Sequence, residues 1–217
     1  MKEMLRIHQI RCEIGHTPDR DDIARKLHCS LSDITSFEIE KESLDARRDD
    51  LHYSYTVLAD VKNPSRHAKK KDVSFGTKQI YQMLKRNNGT MERPVVVGFG
   101  PAGMFASLIL AECGYRPIVI ERGRCVEQRE KDVDAFFTNG ILLPSSNVQF
   151  GEGGAGTFSD GKLTTRIKNI RITKVLQEFV EAGADEAITY QHRPHIGTDV
   201  LRTVVRNIRE KIISLGG

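Results

Sequence analysis

The chain has 217 residues, 39% of them hydrophobic, which suffices for one large or two small globular domains and excludes a largely disordered chain. Its 33 Lys and Arg residues against 29 Asp and Glu give a formal net charge of +4, which permits a nucleic-acid partner without requiring one. No apolar run approaches the ~18 residues of a membrane-spanning helix.

The N-terminus, Met1 to His8, alternates charged and apolar residues and has no signal-peptide core, so a cytoplasmic protein with no membrane partner is expected. The 4 cysteines, Cys12, Cys29, Cys113 and Cys125, lack C-x-x-C spacing. They read as reduced, mostly buried thiols and not as a zinc site or a redox dithiol.

Residues 1–90 read as a separate small α+β domain. Leu5 to Ile14 alternates with period two, as a half-buried strand does. Asp19 to His28 carries acids early, bases late and a helical apolar stripe after Thr17-Pro18. Ile34 to Ser43 and Leu51 to Val61 are further strands, joined by the polar connection Leu44 to Asp50. Lys78 to Lys85 is expected to form a second helix. The order β-α-β-β-α predicts a ferredoxin-like arrangement. Arg47-Arg48 and the loop Asn63 to Lys71 concentrate positive charge, but no aromatic residues interleave it, so we read a solvated connection in preference to a nucleic-acid surface. Asn87 to Glu92 reads as the linker into a second domain over residues 91–217.

That second domain begins with the strongest signal in the chain. Pro94-Val-Val-Val-Gly-Phe-Gly-Pro-Ala-Gly103 is an apolar strand running into G-x-G-x-x-G, followed by a helix from Met104 to Cys113, Gly114, and a second apolar strand, Arg116 to Glu121. This is a dinucleotide fingerprint in its required context. Gly98 permits the sharp turn, Gly100 lets backbone approach a pyrophosphate, and Gly103 lets helix pack on strand. The helix N-terminus offers N–H groups and partial positive charge to phosphates. Glu121 follows Gly103 after 17 intervening residues, a spacing that suits a carboxylate accepting ribose hydroxyls.

A charged segment from Arg122 to Asp132 is expected to become helical through Phe137 and to break at Asn139-Gly140. Asn147 to Lys162 then places five glycines, at 151, 153, 154, 156 and 161, among Thr157, Ser159, Asp160 and Lys162. Such a loop brings bare N–H groups against a ligand, and after a complete fingerprint it reads as a cofactor contact. Helices are expected over Ile170 to Ala182 and Val200 to Ile213. His192 and His195 flank Pro194 without an evident third ligand, so no metal is assigned.

These motifs carry a resemblance. Val95 to Gly103 with Ile118 to Gly123 resembles the FAD-binding start of the two-dinucleotide-binding-domain flavoproteins. Asn147 to Lys162 and Arg193 to Asp199 narrow it to the bacterial FAD-dependent dehydrogenases with an N-terminal α/β extension, which residues 1–90, with their strand–Ala-Arg-Arg–strand feature, are similar to. The resemblance implies a partial Rossmann-like FAD-binding domain. Gly98, Gly100, Pro101, Ala102 and Gly103 would line the pyrophosphate, with Glu121 and Arg122 at the adenosine ribose. Gly153, Gly154, Gly156, Thr157 and Ser159 would follow the ribityl chain or flavin, with Lys162 near its polar edge. It further implies an oxidoreductase passing electrons through FAD, with a small-molecule substrate or a nicotinamide nucleotide, NAD(P)H, as partner. Family members are longer, so the chain is expected to be an N-terminal fragment. No catalytic acid or base is assigned. Two alternatives stay open: an enzyme binding NAD(P) through the same fingerprint, and a non-catalytic module binding nucleic acid or protein through its basic N-terminal domain.

Overall fold

The computed structural model describes residues 3–47, 50–83, 92–165 and 167–217. The protein is mixed α/β and divides into two units, one formed by Met1–Ile80 with Thr189–Pro194 and the other by Tyr81–Ile188 with His195–Gly217.

The first unit is built on an antiparallel sheet of β1 (Met4–Cys12), β2 (Ile34–Asp45), β3 (His52–Val61) and β4 (Val73–Gly76), in the order β2-β3-β1-β4. The helix α1 (Arg20–Leu27) covers one face. Its start follows from Asp19 and Asp22, which cap each other's backbone N–H groups in a reciprocal box. Its end is set by His28 in the left-handed conformation. The side chains of β1 do not alternate evenly. Leu5 and Ile7 point into the core, then Gln9 adopts φ 57° and the pairing with β3 shifts between Ile7 and Ile10. This bulge reverses the inward parity, so that Ile10 and Cys12 are buried with Ile23 and Leu27 of α1.

Two expectations fail here. The strand β4 was not foreseen, because four residues carry almost no periodic signal. The helix expected over 78–85 is absent from Lys78 to Met83, whose backbone is irregular, while 84 and 85 lie outside the described residues. Arg48 and most of the expected linker, 87–91, lie outside them too.

The second unit contains β5 (Val95–Val97), α2 (Pro101–Glu112), β6 (Ile118–Ile120), α3 (Val126–Asn139), α4 (Arg171–Glu181) and α5 (Thr198–Ser214). The strands β5 and β6 pair in parallel with α2 as their crossover. The core joins Met104, Leu108 and Ala111 of α2 to Val204, Val205, Ile208 and Ile212 of α5. The buried positions of α5 recur at the three- and four-residue steps of one helical face. Charge reinforces the same packing. Glu112, almost buried, meets Lys174 at 2.8 Å and Lys211 at 3.0 Å, and Lys211 also holds Glu178 at 2.7 Å. Burial alone would raise the Glu112 carboxyl, and these two lysines overcome it and lower it. The outer face of the parallel pair is open: Val97 is 81% and Ile120 54% exposed.

Candidate functional site

The glycine turn between β5 and α2 is the centre of the candidate site. Gly98 takes φ 93°, a region open to glycine at little cost, and its N–H donates to the Ile120 carbonyl at 2.7 Å. The turn then enters α2 with Gly100 at the cap and Pro101 in the first turn, and no side chain caps the helix. Its first N–H groups and the positive end of its dipole are thus available to an anion.

The glycines of the turn are not equivalent. A Cβ on Gly103 would lie 1.9 Å from the Gly98 carbonyl oxygen, so close helix–strand packing itself demands glycine there. A Cβ on Gly100 would meet nothing within 4 Å, and its φ of −72° suits any residue. Among the described residues nothing therefore requires glycine at 100. The space outside it is open to a ligand. Ala102 sits beside Gly103 in the first turn, exposed.

Glu121 ends β6 and turns towards this loop. One carboxylate oxygen accepts the Phe99 N–H at 2.6 Å and the other the Gly123 N–H at 2.7 Å. The side chain thus braces the turn, with lone pairs left over for a hydroxyl. Arg122 does not lie against it; its guanidinium rests 5.6 Å from the centroid of the Phe150 ring.

The second glycine stretch joins the same place. Gly153 N–H donates to the Phe99 carbonyl at 2.7 Å, and a Cβ on Gly154 would come within 3.2 Å of Pro101. The two sequence motifs, fifty residues apart, therefore make one surface. Beyond Gly154 the loop departs from a simple row of ligand contacts. Thr157 is buried and its hydroxyl donates to the Glu152 carbonyl at 3.4 Å. Gly156 is open, and Ser159 donates to its carbonyl at 2.7 Å. Lys162 is exposed and pairs with Asp160 at 3.2 Å.

What shapes the loop is Arg129 of α3, a residue that no sequence motif singles out. Its guanidinium is fully buried and donates to the carbonyls of Glu152, Gly154 (3.1 Å), Asn147 (2.9 Å) and Val148 (3.2 Å). It also lies 4.8 Å from the Phe158 ring centroid. A Cβ on Gly151 would collide with it at 2.4 Å. Burial lowers the guanidinium pKa, and Glu121 and Glu152 partly restore it. In the sequence this arginine stands in the charged run Arg122 to Asp132, where nothing sets it apart from its neighbours.

Glu152 has a similar history. It accepts the Val126 N–H at the start of α3 at 2.6 Å and pairs with Arg209 of α5 at 2.7 Å, yet burial still pushes its carboxyl upward. A cleft of about 400 Å³ is lined by Phe99, Glu121, Gly123, Glu152, Arg209 and Ile212. It joins the brace of the glycine turn to an apolar wall, as a nucleoside would require. Cys125, a free and exposed thiol at the start of α3, also lines this cleft.

The basic loop of the first unit is partly absorbed by its fold. Lys70 donates to the Leu27 carbonyl at the end of α1, Lys26 pairs with Asp72 at 3.1 Å, and His67 is buried. Among the described residues no helix is long and apolar enough to cross a membrane.

Comparison with known proteins places both units in a wider context. A family model described as "Domain of unknown function (DUF8436)" matches residues 4–60, which hold β1 to β3. An "Uncharacterized protein" of Clostridium beijerinckii is 50% identical over 202 residues, covering 90% of this chain and 38% of its own length. The chain therefore spans well under half of the curated relative that it matches, and the likeness runs through both the sheet of the first unit and the glycine motifs of the second.

Proposed function

We propose that the chain is the cofactor-holding portion of an FAD-dependent oxidoreductase, with a small α+β domain before a Rossmann-like dinucleotide site. The observation that carries this reading is Gly100: a glycine inside a strand–turn–helix fingerprint whose missing Cβ leaves space that no described residue fills. The uncapped start of α2, Glu121 at the tip of β6 and the cleft beside it supply an anion site and a ribose site. FAD, when bound, supplies the electron transfer, and the chain binds and orients it. Gly98, Gly100, Pro101, Ala102 and Gly103 would face the pyrophosphate, with Glu121 at the ribose. In this reading Gly153 and Gly154 extend the surface by packing on the turn. Nicotinamide nucleotide is the electron donor that this chemistry suits, and the compartment suggested is the cytoplasm.

An NADP site is disfavoured by a particular observation. Arg122 is drawn to Phe150, and Arg124, which lines the cleft with Glu121, already pairs with Asp132 at 3.1 Å, so its charge is spent there and Glu121 faces a 2′-phosphate largely uncompensated. For the first unit, the sheet order β2-β3-β1-β4 supports a ferredoxin-like reading, although only a short 3-10 turn, Pro64–Arg66, stands where a second helix would precede β4.

The test is the visible spectrum of the purified chain and titration with FAD, followed by flavin fluorescence. Saturable binding that is lost in Gly100→Val and kept in a variant distant from the turn, such as Lys69→Ala, supports the reading. Binding unaffected by Gly100→Val overturns it.

A further inference from the structure

The first unit holds a second cluster with ligand chemistry. Cys12 Sγ, His16 Nε2 and Asp22 Oδ2 all lie within 4.8 Å of one another. The thiol is 4.0 Å from Oδ2 and the imidazole nitrogen 2.7 Å from it. Each donor arrives by a different device. The bulge at Gln9 turns Cys12 inward, under the start of α1. Asp22 is fixed in the first turn of α1 by the Asp19 N–H at 3.2 Å, and Arg25 occupies its other oxygen at 3.0 Å. His16 follows the left-handed Gly15 and its side chain is half exposed, so it has freedom to adjust.

The geometry points to a site for a divalent transition metal of the zinc class, held by Cys12, His16 and Asp22 with a fourth position open to solvent. Thiolate, imidazole and carboxylate together are a borderline-soft set that suits zinc or cobalt over magnesium or calcium. Tetrahedral coordination puts ligand atoms roughly 3.3–3.6 Å apart, so relative to Asp22 Oδ2 the imidazole must retreat and the thiol advance by about half an ångström each, while thiol and imidazole, within 4.8 Å of each other, must close by up to about 1 Å. A cleft of about 440 Å³ lies over the cluster and is also lined by Glu13, Asp50 and His52. It gives an ion a route in and leaves room for water at the open position. The competing use of these residues is an ion pair that caps α1, with Cys12 as a buried filler. That use accounts for each residue singly; the metal reading also accounts for thiol, imidazole and carboxylate meeting at one point beneath an open cleft.

Cobalt separates the two. The full chain, treated with chelator and dialysed, is titrated with Co²⁺ alone. The expected result is one ion per chain, a thiolate-to-cobalt charge-transfer band and the intense visible bands of a tetrahedral centre. In Cys12→Ser the charge-transfer band disappears, and in His16→Ala affinity falls at least tenfold. His16 is half exposed, so His16→Ala keeps its fold, which circular dichroism verifies. Absence of the bands in the unaltered chain overturns the site. So does their survival in Cys12→Ser, which would assign them to Cys29, Cys113 or Cys125. None of these outcomes depends on whether the second unit binds FAD.

Discussion

The contrast between Gly103 and Gly100 gives a prediction whose two halves must differ. In Gly103→Ala the new methyl lies 1.9 Å from the Gly98 carbonyl oxygen, and ordinary contact begins near 3.4 Å, so α2 and the turn must part by about 1.5 Å. The obstacle is backbone and cannot swing aside as a side chain would. Moving α2 loosens Met104 and Leu108 from α5, whose facing residues Val204 and Ile208 are fully buried. Overpacking typically costs ~1–3 kcal/mol, and this case belongs at the upper end, about 3 kcal/mol. With a urea slope near ~2 kcal/mol/M, the unfolding midpoint of the second unit falls by roughly 1.5 M. Gly100→Ala meets no atom within 4 Å and costs only the weaker helix cap, about 1 kcal/mol or less. Urea unfolding followed by near-ultraviolet circular dichroism reads both. Equal losses in the two variants refute the distinction between a glycine that the packing requires and one that it does not. A loss under about 1 kcal/mol in Gly103→Ala refutes the tight helix–strand contact.

Three further expectations follow from particular side chains. Arg129→Met removes the donors to four loop carbonyls and should cost about 3 kcal/mol, with new proteolytic cleavage inside residues 147–158; an uncut, fully stable variant would show that the loop holds itself. The hydrogen bonds of Arg209 keep the Glu127 carboxyl depressed to about 2. A depressed carboxylate stabilises the fold above its ordinary pKa near 4.5, and the contribution fades as pH falls towards 2. Glu127 is 44% exposed, so the effect is small and screened by salt, and Glu127→Gln should flatten the pH dependence of unfolding across that window; an unchanged profile would deny the pair a role. Ile23→Ala in α1, at a fully buried position, should cost ~2–5 kcal/mol by thermal unfolding, and a smaller loss would mean that the sheet closes over the cavity.

Much of the framework was legible in local pattern. Caps, apolar stripes and the fingerprint located α1, α2, α3, α4 and α5 within a few residues, and the parallel pair β5–β6 lies where the apolar runs flank the glycine turn. Those signals are short-range: a helix or strand depends on neighbours a few positions away, so the sequence displays them directly. The misses were of two kinds. Lys78 to Met83 has helical composition but no helix, and β4 has four residues whose only reason to be a strand is the edge of β1. The Gln9 bulge is another tertiary outcome, and it decides that Cys12 faces Asp22.

The site itself divides in the same way. Glycines at 98, 100 and 103 and the acid at 121 were named from spacing alone, because the order strand, turn, helix, strand places them together whatever surrounds them. That Glu121 braces Phe99 and Gly123, that Arg129 gathers four carbonyls of the glycine loop, and that Glu152 meets Arg209 across 57 residues were decided only by the folded chain. A charged residue in a sequence looks the same whether it will face water or be buried, because its partner is set by distant segments brought together in folding, and burial then makes that partner indispensable.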